Sequence, residues 1–501
     1  MPSIKGYEYF LIPTAIAFVI RLVYHFWGIP DLWGDAYHNV YISNAIIENN
    51  WVYSDFKGRE VVWLPFYRYL AAFFMFLFGS SNLSAPHFLN MIIGSVSCGV
   101  LSSLTASYSN KHYGQLAGLL MAFLPWHVAY SHINMPEITA SLILLLIVSA
   151  QYTSKWYWLI PLSFLGVLTK NELTLYIGFF GLYTIWVRDW KSVIALIAGG
   201  TPGLVVWGHW NWVMTGEPLW WIAERSLGSG WDKTFYSFLG DTSGSWYMPL
   251  MSILQVFPFI FILLLKLQLI RGVIKTKGDA FLKGITVVVL SSWLFIIIMN
   301  LGYFPTPDAR YFIITLPLAC LVFVLWMYKI QAGNRIIKLV VAGLMVLWVV
   351  ELPIFYFLQF KMAPSIEMGK YIKNSDLDEG SFWLDFPVTV YFSEVQYDRV
   401  FSSEMMVPKE KREGENFIRN LRNDLKSKKI KYVAFQDVPY SYTGSIWSEM
   451  NENKPFDWNE FRFEPIFHYT FEAESQSINN KIKAIILERE ASSLWKVSYT
   501  P

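Results

Sequence analysis

The chain has 501 residues, of which 54% are hydrophobic and only 16% charged, against roughly 25% charged in a soluble domain. Aromatic residues make up 18%, with 23 Trp, and such rings gather where one edge is wet and the body is buried, as at a membrane interface. A net charge of +2 gives no footing for a nucleic-acid partner, and the two cysteines, Cys98 and Cys320, each inside an apolar run, supply no disulfide or metal framework.

Spans of about 20 apolar residues, the length a bilayer requires, are expected near 8–27, 86–108, 114–131, 136–152, 156–169, 173–187, 192–213, 248–270, 284–302, 310–328 and 336–359. The first resembles a signal peptide, but no small-residue cleavage site follows and Arg21 interrupts it, so it reads as a retained span. The fold class is therefore mainly α: a polytopic membrane domain over 1–361 with about 11 spans, and a soluble α/β domain over 362–501.

Lys and Arg accumulate in cytoplasmic loops. With the N-terminus inside, the inner loops hold Lys111, Lys155, Arg188, Lys191, Arg271, Lys275, Lys277, Lys283, Lys329, Arg335 and Lys338. The odd span count then puts the C-terminal domain outside the plasma membrane.

Two outer segments exceed simple turns. The first, 28–85, reads as an amphipathic helix (DAYHNVYISNAIIENN), a polar hairpin, and a second apolar stretch (VVWLPFYRYLAAFFMFLFG) laid in the interface plane. The second, 214–247, is rich in Trp, Gly and Ser and suits a flap over a site near the outer surface. Beyond 361, SFWLDFP, TVYFS, KYVAFQD and KAIILER read as strands and NFIRNLRNDLKSKK as a helix.

Ionisable groups at membrane depth cost about 2.5–3.5 kcal/mol each on insertion scales, and here they concentrate at the outer ends of spans. Asp35 follows the first span; an Asp before a helix also serves as an N-cap, and both roles hold at once. Glu137 opens a span beyond Pro136, where an acid suits a first helical turn, with His127 and His132 on the same edge. Together the three suit a metal or a phosphate, or equally an interface-facing polar rim. Lys170 and Glu172 form a polar tip between two short apolar runs, and Arg310 begins a late outer-leaflet helix; a snorkelling anchor is the plain alternative for both cations. A carboxylate base, a second acid and two cations on one membrane face suit transfer of a sugar from a lipid phosphate. The acceptor hydroxyl needs a base, and the departing phosphate needs fixed positive charge.

At these residues the chain resembles the GT-C superfamily of polytopic glycosyltransferases, in the branch of protein O-mannosyltransferases and lipid A aminoarabinose transferases. The signature is distributed over 1–360: Asp35 early in a long first outer loop, the segment from Pro65 to Gly79 closing in LFG, Glu137 after the third span, Thr169-Lys170 at an outer tip, and Arg310-Tyr311 opening a late helix. The resemblance implies an inverting glycosyltransferase, a hexosyl- or pentosyltransferase, that takes sugar from a polyprenyl or dolichyl monophosphate on the non-cytoplasmic side. It gives Asp35 the role of base or acceptor-positioning acid, has Lys170 and Arg310 bind the donor phosphate and has Glu137 line the cavity; beside these, Glu137 is expected to join Asp35 in catalysis, Arg59 to join the phosphate site, and His132, Glu172, Tyr311 and Arg225 to line the cavity or acceptor site. The outer domain would help recognise a protein, glycan or lipid acceptor.

The chain departs from its relatives where Ala36 follows Asp35 in place of a second acid, and where Val62-Trp63-Leu64 precedes Pro65 in place of a lysine, leaving Lys57 and Arg59 as the nearest cations. The first loop has no DxD pair, so no metal or other cofactor is expected, with His132 the first suspect as ligand for a divalent metal. A transporter or flippase for a lipid-linked glycan is the alternative; it predicts repeated halves and midplane polar groups, neither of which is visible. A scaffold that merely displays the C-terminal domain leaves the shared side of Asp35, Glu137, Lys170 and Arg310 without a reason.

Overall fold

The computed structural model of the protein describes residues 7–27, 31, 34–53, 63–79, 81–219, 247–259, 280–301, 309–331, 334–360, 362–377, 379–402, 417–436, 447–469 and 492–499. They form two compact units. One comprises the described residues up to 27 and from 63 to 354; the other comprises 31–53 and those from 355 onward.

The first unit is helical. Its elements are α1 (Tyr7–Phe26), α3 (Pro65–Phe78), α4 (Ser84–Tyr108), α5 (Lys111–Phe123), α6 (Pro125–Tyr130), α7 (Glu137–Tyr152), α8 (Leu159–Val167), α9 (Asn171–Trp186), α10 (Trp190–Thr215), α11 (Tyr247–Val256), α12 (Ala280–Leu301), α13 (Ala309–Ile313), α14 (Leu316–Lys329) and most of α15 (Asn334–Phe360). Among the described residues, five helices are long and apolar enough to cross a membrane: Glu8–Phe26, Ser84–Tyr108, Trp190–Thr215, Ala280–Ile298 and Arg335–Phe355. Their outward faces are oily. Ile194, Ile197, Val205 and Val213 on α10, and Leu339, Met345, Val346 and Val349 on α15, are each more than half exposed, which water would disfavour and lipid would not.

Small residues bring the helices close, as in membrane bundles. A Cβ at Gly118 would sit 2.7 Å from Pro13 Cβ and 2.8 Å from the Cys98 carbonyl, so α5 lies against α1 and α4 only because that atom is missing. The expected run 114–131 is broken: Leu124 is extended and Pro125 opens α6, since proline supplies no N–H to continue the ladder. The run 310–328 divides likewise at Thr315, with Pro317 in the first turn of α14. Helix α3 has 14 residues, about 21 Å of rise against a hydrocarbon core of about 30 Å. It stops at Gly79, whose left-handed φ of 58° lets its N–H close on the last carbonyls.

The second unit is α/β. Helix α2 (Gly34–Glu48) belongs to it, with α16 (Ala363–Asn374), α17 (Pro387–Ser393) and α18 (Phe417–Ser427). Strands β1 (Ser381–Trp383), β2 (Val400–Phe401), β3 (Ile430–Gln436), β4 (Phe456–Trp458), β5 (Phe461–Tyr469) and β6 (Ser492–Tyr499) form one sheet of order β2-β1-β3-β6-β5-β4. Pairings around β1 are parallel and the rest antiparallel.

Alternate side chains leave opposite faces of a strand, and both faces here are covered. Trp383, Val433, Phe435, Trp495 and Val497 pack with Leu421 and Leu425 of α18. Phe382, Tyr432, Ala434 and Leu494 pack with Met368, Ile372, Val390 and Tyr41 of α2. The expected strand TVYFS is instead part of α17: Pro387 opens that helix, and a short apolar run buried on one side satisfies either geometry. The expected strand KAIILER lies outside the described residues, as does most of the proposed flap, residues 220–246.

Candidate functional site

Within the first unit, four of the expected residues come together. Glu137 is the first residue of α7 and is wholly buried; Lys170, in the extended link between α8 and α9, is 8% exposed. The Lys170 ammonium donates to Glu137 Oε1 in a short ion pair, while Glu137 Oε2 is buried with no hydrogen-bond partner among the described residues. Lys170 also stands 5.7 Å from the centre of the Tyr311 ring, and Arg310 packs over the same ring at 5.2 Å. Arg310 Nη2 reaches the Tyr311 hydroxyl at 3.4 Å, and the Tyr176 hydroxyl holds the Tyr311 carbonyl at 2.9 Å. Two cations on one electron-rich ring, one of them held by a carboxylate, make a polar edge suited to an anion. Glu172 lies in the first turn of α9, close to this edge in sequence and partly buried.

Sequence reasoning missed the support around this group. The Phe66 N–H donates to the Leu168 carbonyl at 3.0 Å, docking the first turn of α3 on the link that carries Lys170. Arg68, one turn on, is buried, packs over Trp63 at 4.9 Å and donates to the Leu64 carbonyl at 3.0 Å. An arginine inside an apolar aromatic stretch is the signal that could have named it. The Tyr67 hydroxyl donates to Asn134 Oδ1 at 2.7 Å and accepts from Asn90 Nδ2 at 2.8 Å, which fastens the segment leading to Glu137.

His132 is not beside Glu137 in function-ready contact. Its Nε2 meets His25 Nδ1 across 2.6 Å, and its ring lies tilted against that of His87 with centres 4.3 Å apart. Asp35 lies in the second unit, in the first turn of α2 rather than before it, and is half-buried. Two residues on, burial and then the Asp31 charge push the Tyr37 phenol far above its usual range, so it stays a neutral donor. Arg59 and Arg225 lie outside the described residues.

The first unit thus joins this anion-ready edge to a bundle of apolar helices, two of whose runs are broken at Leu124 and Thr315. No protein-family model matches the chain, and no curated protein matches its sequence. Among solved structures, ArnT from Cupriavidus metallidurans bound to undecaprenyl phosphate is similar over 91% of this chain and 96% of its own, at 11% identity and a TM-score of 0.59. Its apo state is similar over 93% of each chain, at 10% identity and a TM-score of 0.54. The Archaeoglobus fulgidus oligosaccharyltransferase covers 87% of this chain and 68% of its own, at 12% identity and a TM-score of 0.49. The chain thus has the fold of ArnT, the lipid A aminoarabinose transferase, and the GT-C resemblance read from the sequence holds for the fold.

Proposed function

We infer that the protein is a membrane glycosyltransferase that moves a sugar from a polyprenyl or dolichyl monophosphate to an acceptor on the extracytoplasmic face, with inversion. The observation that carries this reading is the buried Glu137–Lys170 pair against Tyr311 and Arg310, in a chain whose fold matches a protein solved with undecaprenyl phosphate bound. The topology that goes with it has eleven spans, a cytoplasmic N-terminus and the C-terminal domain outside.

In this mechanism the donor phosphate takes Lys170 and Arg310, and Glu137 holds the ammonium in place until the phosphate arrives. Charge grows on the phosphate as the sugar C1–O bond breaks, and cations fixed in a water-poor site stabilise it there. The acceptor hydroxyl attacks C1 from the opposite side and gives its proton to Asp35. A single displacement inverts the anomeric carbon. The lipid phosphate leaves as an anion and needs no general acid. The C-terminal unit contributes to acceptor choice.

The test uses the protein in lipid nanodiscs with a panel of radiolabelled polyprenyl-phosphate sugars and native membrane extract, following release of the lipid phosphate. Release by the wild type that Asp35→Asn abolishes, with donor binding kept, is the expected result. No release from any donor by folded protein would overturn the reading and turn attention to flux of a lipid-linked glycan.

A further inference from the structure

We propose that His25, His87 and His132 form a binding site for one divalent transition metal of the zinc class, with a fourth coordination position left open. The three residues come from distant parts of the sequence: the last turn of α1, the first turn of α4, and the link between α6 and α7. Each offers one ring nitrogen, and the three nitrogens lie within 4.8 Å of one another. Imidazole nitrogens bind zinc at about 2.0–2.1 Å, which puts ligands of a tetrahedral ion about 3.3 Å apart. Closing the set on an ion therefore takes side-chain shifts of about an ångström and no backbone rearrangement.

A hydrogen-bonded histidine pair would account for His25 and His132, whose nitrogens approach to 2.6 Å. His87 brings a third ring to this pair, tilted by 36° against His132 with centres 4.3 Å apart and edge-on to His25 at 6.3 Å, so three imidazole donors gather at one place where His87 and His132 are largely buried.

The scaffold around them is fixed, as a metal site requires. Asn90 lies one turn beyond His87 on α4, and its Nδ2 donates to the Ile133 carbonyl at 2.5 Å and to the Met135 carbonyl at 3.3 Å. The helix that carries His87 thereby clamps the link that carries His132. Tyr24 sets its ring edge-on to His132 at 5.6 Å, beside His25 on α1.

The ligand chemistry selects the ion. Magnesium and calcium take oxygen ligands, whereas an all-imidazole set suits zinc, cobalt, nickel or copper. Three protein ligands are the number that leaves a zinc-type ion a place for water or an anionic oxygen. The site stands on its own geometry and does not depend on the glycosyltransferase reading.

The experiment uses the full chain, free of any histidine tag, in nanodiscs after dialysis against chelator, titrated with Co²⁺ alone and then with Zn²⁺. The expected result is about one cobalt per chain with the strong visible bands of a tetrahedral ion, displaced by zinc. His25→Phe and His87→Phe keep a ring in each place and remove its nitrogens, and each should weaken binding by at least about a hundredfold, more than loss of a group that only orients a ligand does. His209→Phe, at an exposed histidine of α10, should bind as the wild type does. No tetrahedral bands with monodisperse wild-type protein, or equal cobalt binding by the His25→Phe/His87→Phe double variant, would overturn the proposal.

Discussion

Lys170→Met tests the central ion pair most directly. Glu137 is wholly buried and Lys170 is 8% exposed, so removing the ammonium leaves a carboxylate in dry surroundings without its counter-charge. Breaking a buried pair in this way costs about 3–5 kcal/mol. Glu137→Gln should cost a similar amount, because it strands the lysine. The Glu137→Gln/Lys170→Met double variant removes both charges, and neutral replacement of a buried pair is close to neutral in stability. The single losses sum to about 6–10 kcal/mol while the double loss is near zero, so the two sites should couple by at least about 3 kcal/mol, the upper end usual for directly contacting residues. The same cycle at Lys111 and Glu8, an ion pair of 3.0 Å with side chains 44% and 63% exposed, should give about 0–1 kcal/mol. Both cycles are read from reversible unfolding in mixed detergent micelles under one set of conditions. Coupling at 137 and 170 no larger than at 8 and 111 would refute the argument from burial. The double variant separates folding from function as well: it should remain stable yet fail to retain a radiolabelled lipid phosphate.

Arg310→Ala removes a charged donor beside Tyr311; such hydrogen bonds contribute about 1.5–3 kcal/mol, so lipid-phosphate affinity should fall roughly 10- to 150-fold in a filter-binding assay. Ending the chain after residue 361 strips Met368, Ile372, Val390 and Leu494 from Tyr41, and a protease should then cut within 31–53 on the order of tenfold faster or more, the factor that 1.4 kcal/mol of lost packing gives. Hydrogen bonds from Arg422 and then Lys426 lower the Glu460 carboxyl from 4.5 to about 2. That depression stabilises the C-terminal unit fully above the unfolded carboxylate value and is lost as pH falls through about 2. Acid unfolding of Glu460→Gln should accordingly be shallower between pH 4.5 and 2 than that of the wild type, with the difference shrinking in high salt because the two cations are 40% exposed.

The helices were legible because each apolar run must hydrogen-bond its own backbone. Their breaks at Leu124 and Thr315 were legible only as prolines, because an apolar run does not say whether Pro125 kinks a helix or restarts one. Glu137, Lys170 and Arg310 could be named as unusual charges at run ends, and Tyr311 through the resemblance; the structure gathers all four. His25 and His87 could not, since a histidine closing an apolar run looks like any interface residue until α1 and α4 pack. In the soluble part, KYVAFQD showed its alternation, whereas TVYFS read as a strand because its burial, not its period, sets its helix. Strands β5 and β6 carry charged and polar residues such as Glu464, His468 and Lys496 that masked their alternation.

The arrangement of the second unit has a consequence for how the chain is made. β6 is inserted between β3 and β5, and its Leu494 shares a core with Tyr41 of α2. Leu494 of this interior strand is thus synthesised roughly 450 residues after Tyr41, whose core it shares. At about 5–20 residues per second, α2 emerges roughly 20–90 s before its final neighbour exists. Through that interval its apolar face must be shielded by lipid or by a folding helper, and a stalled ribosome would leave it bare.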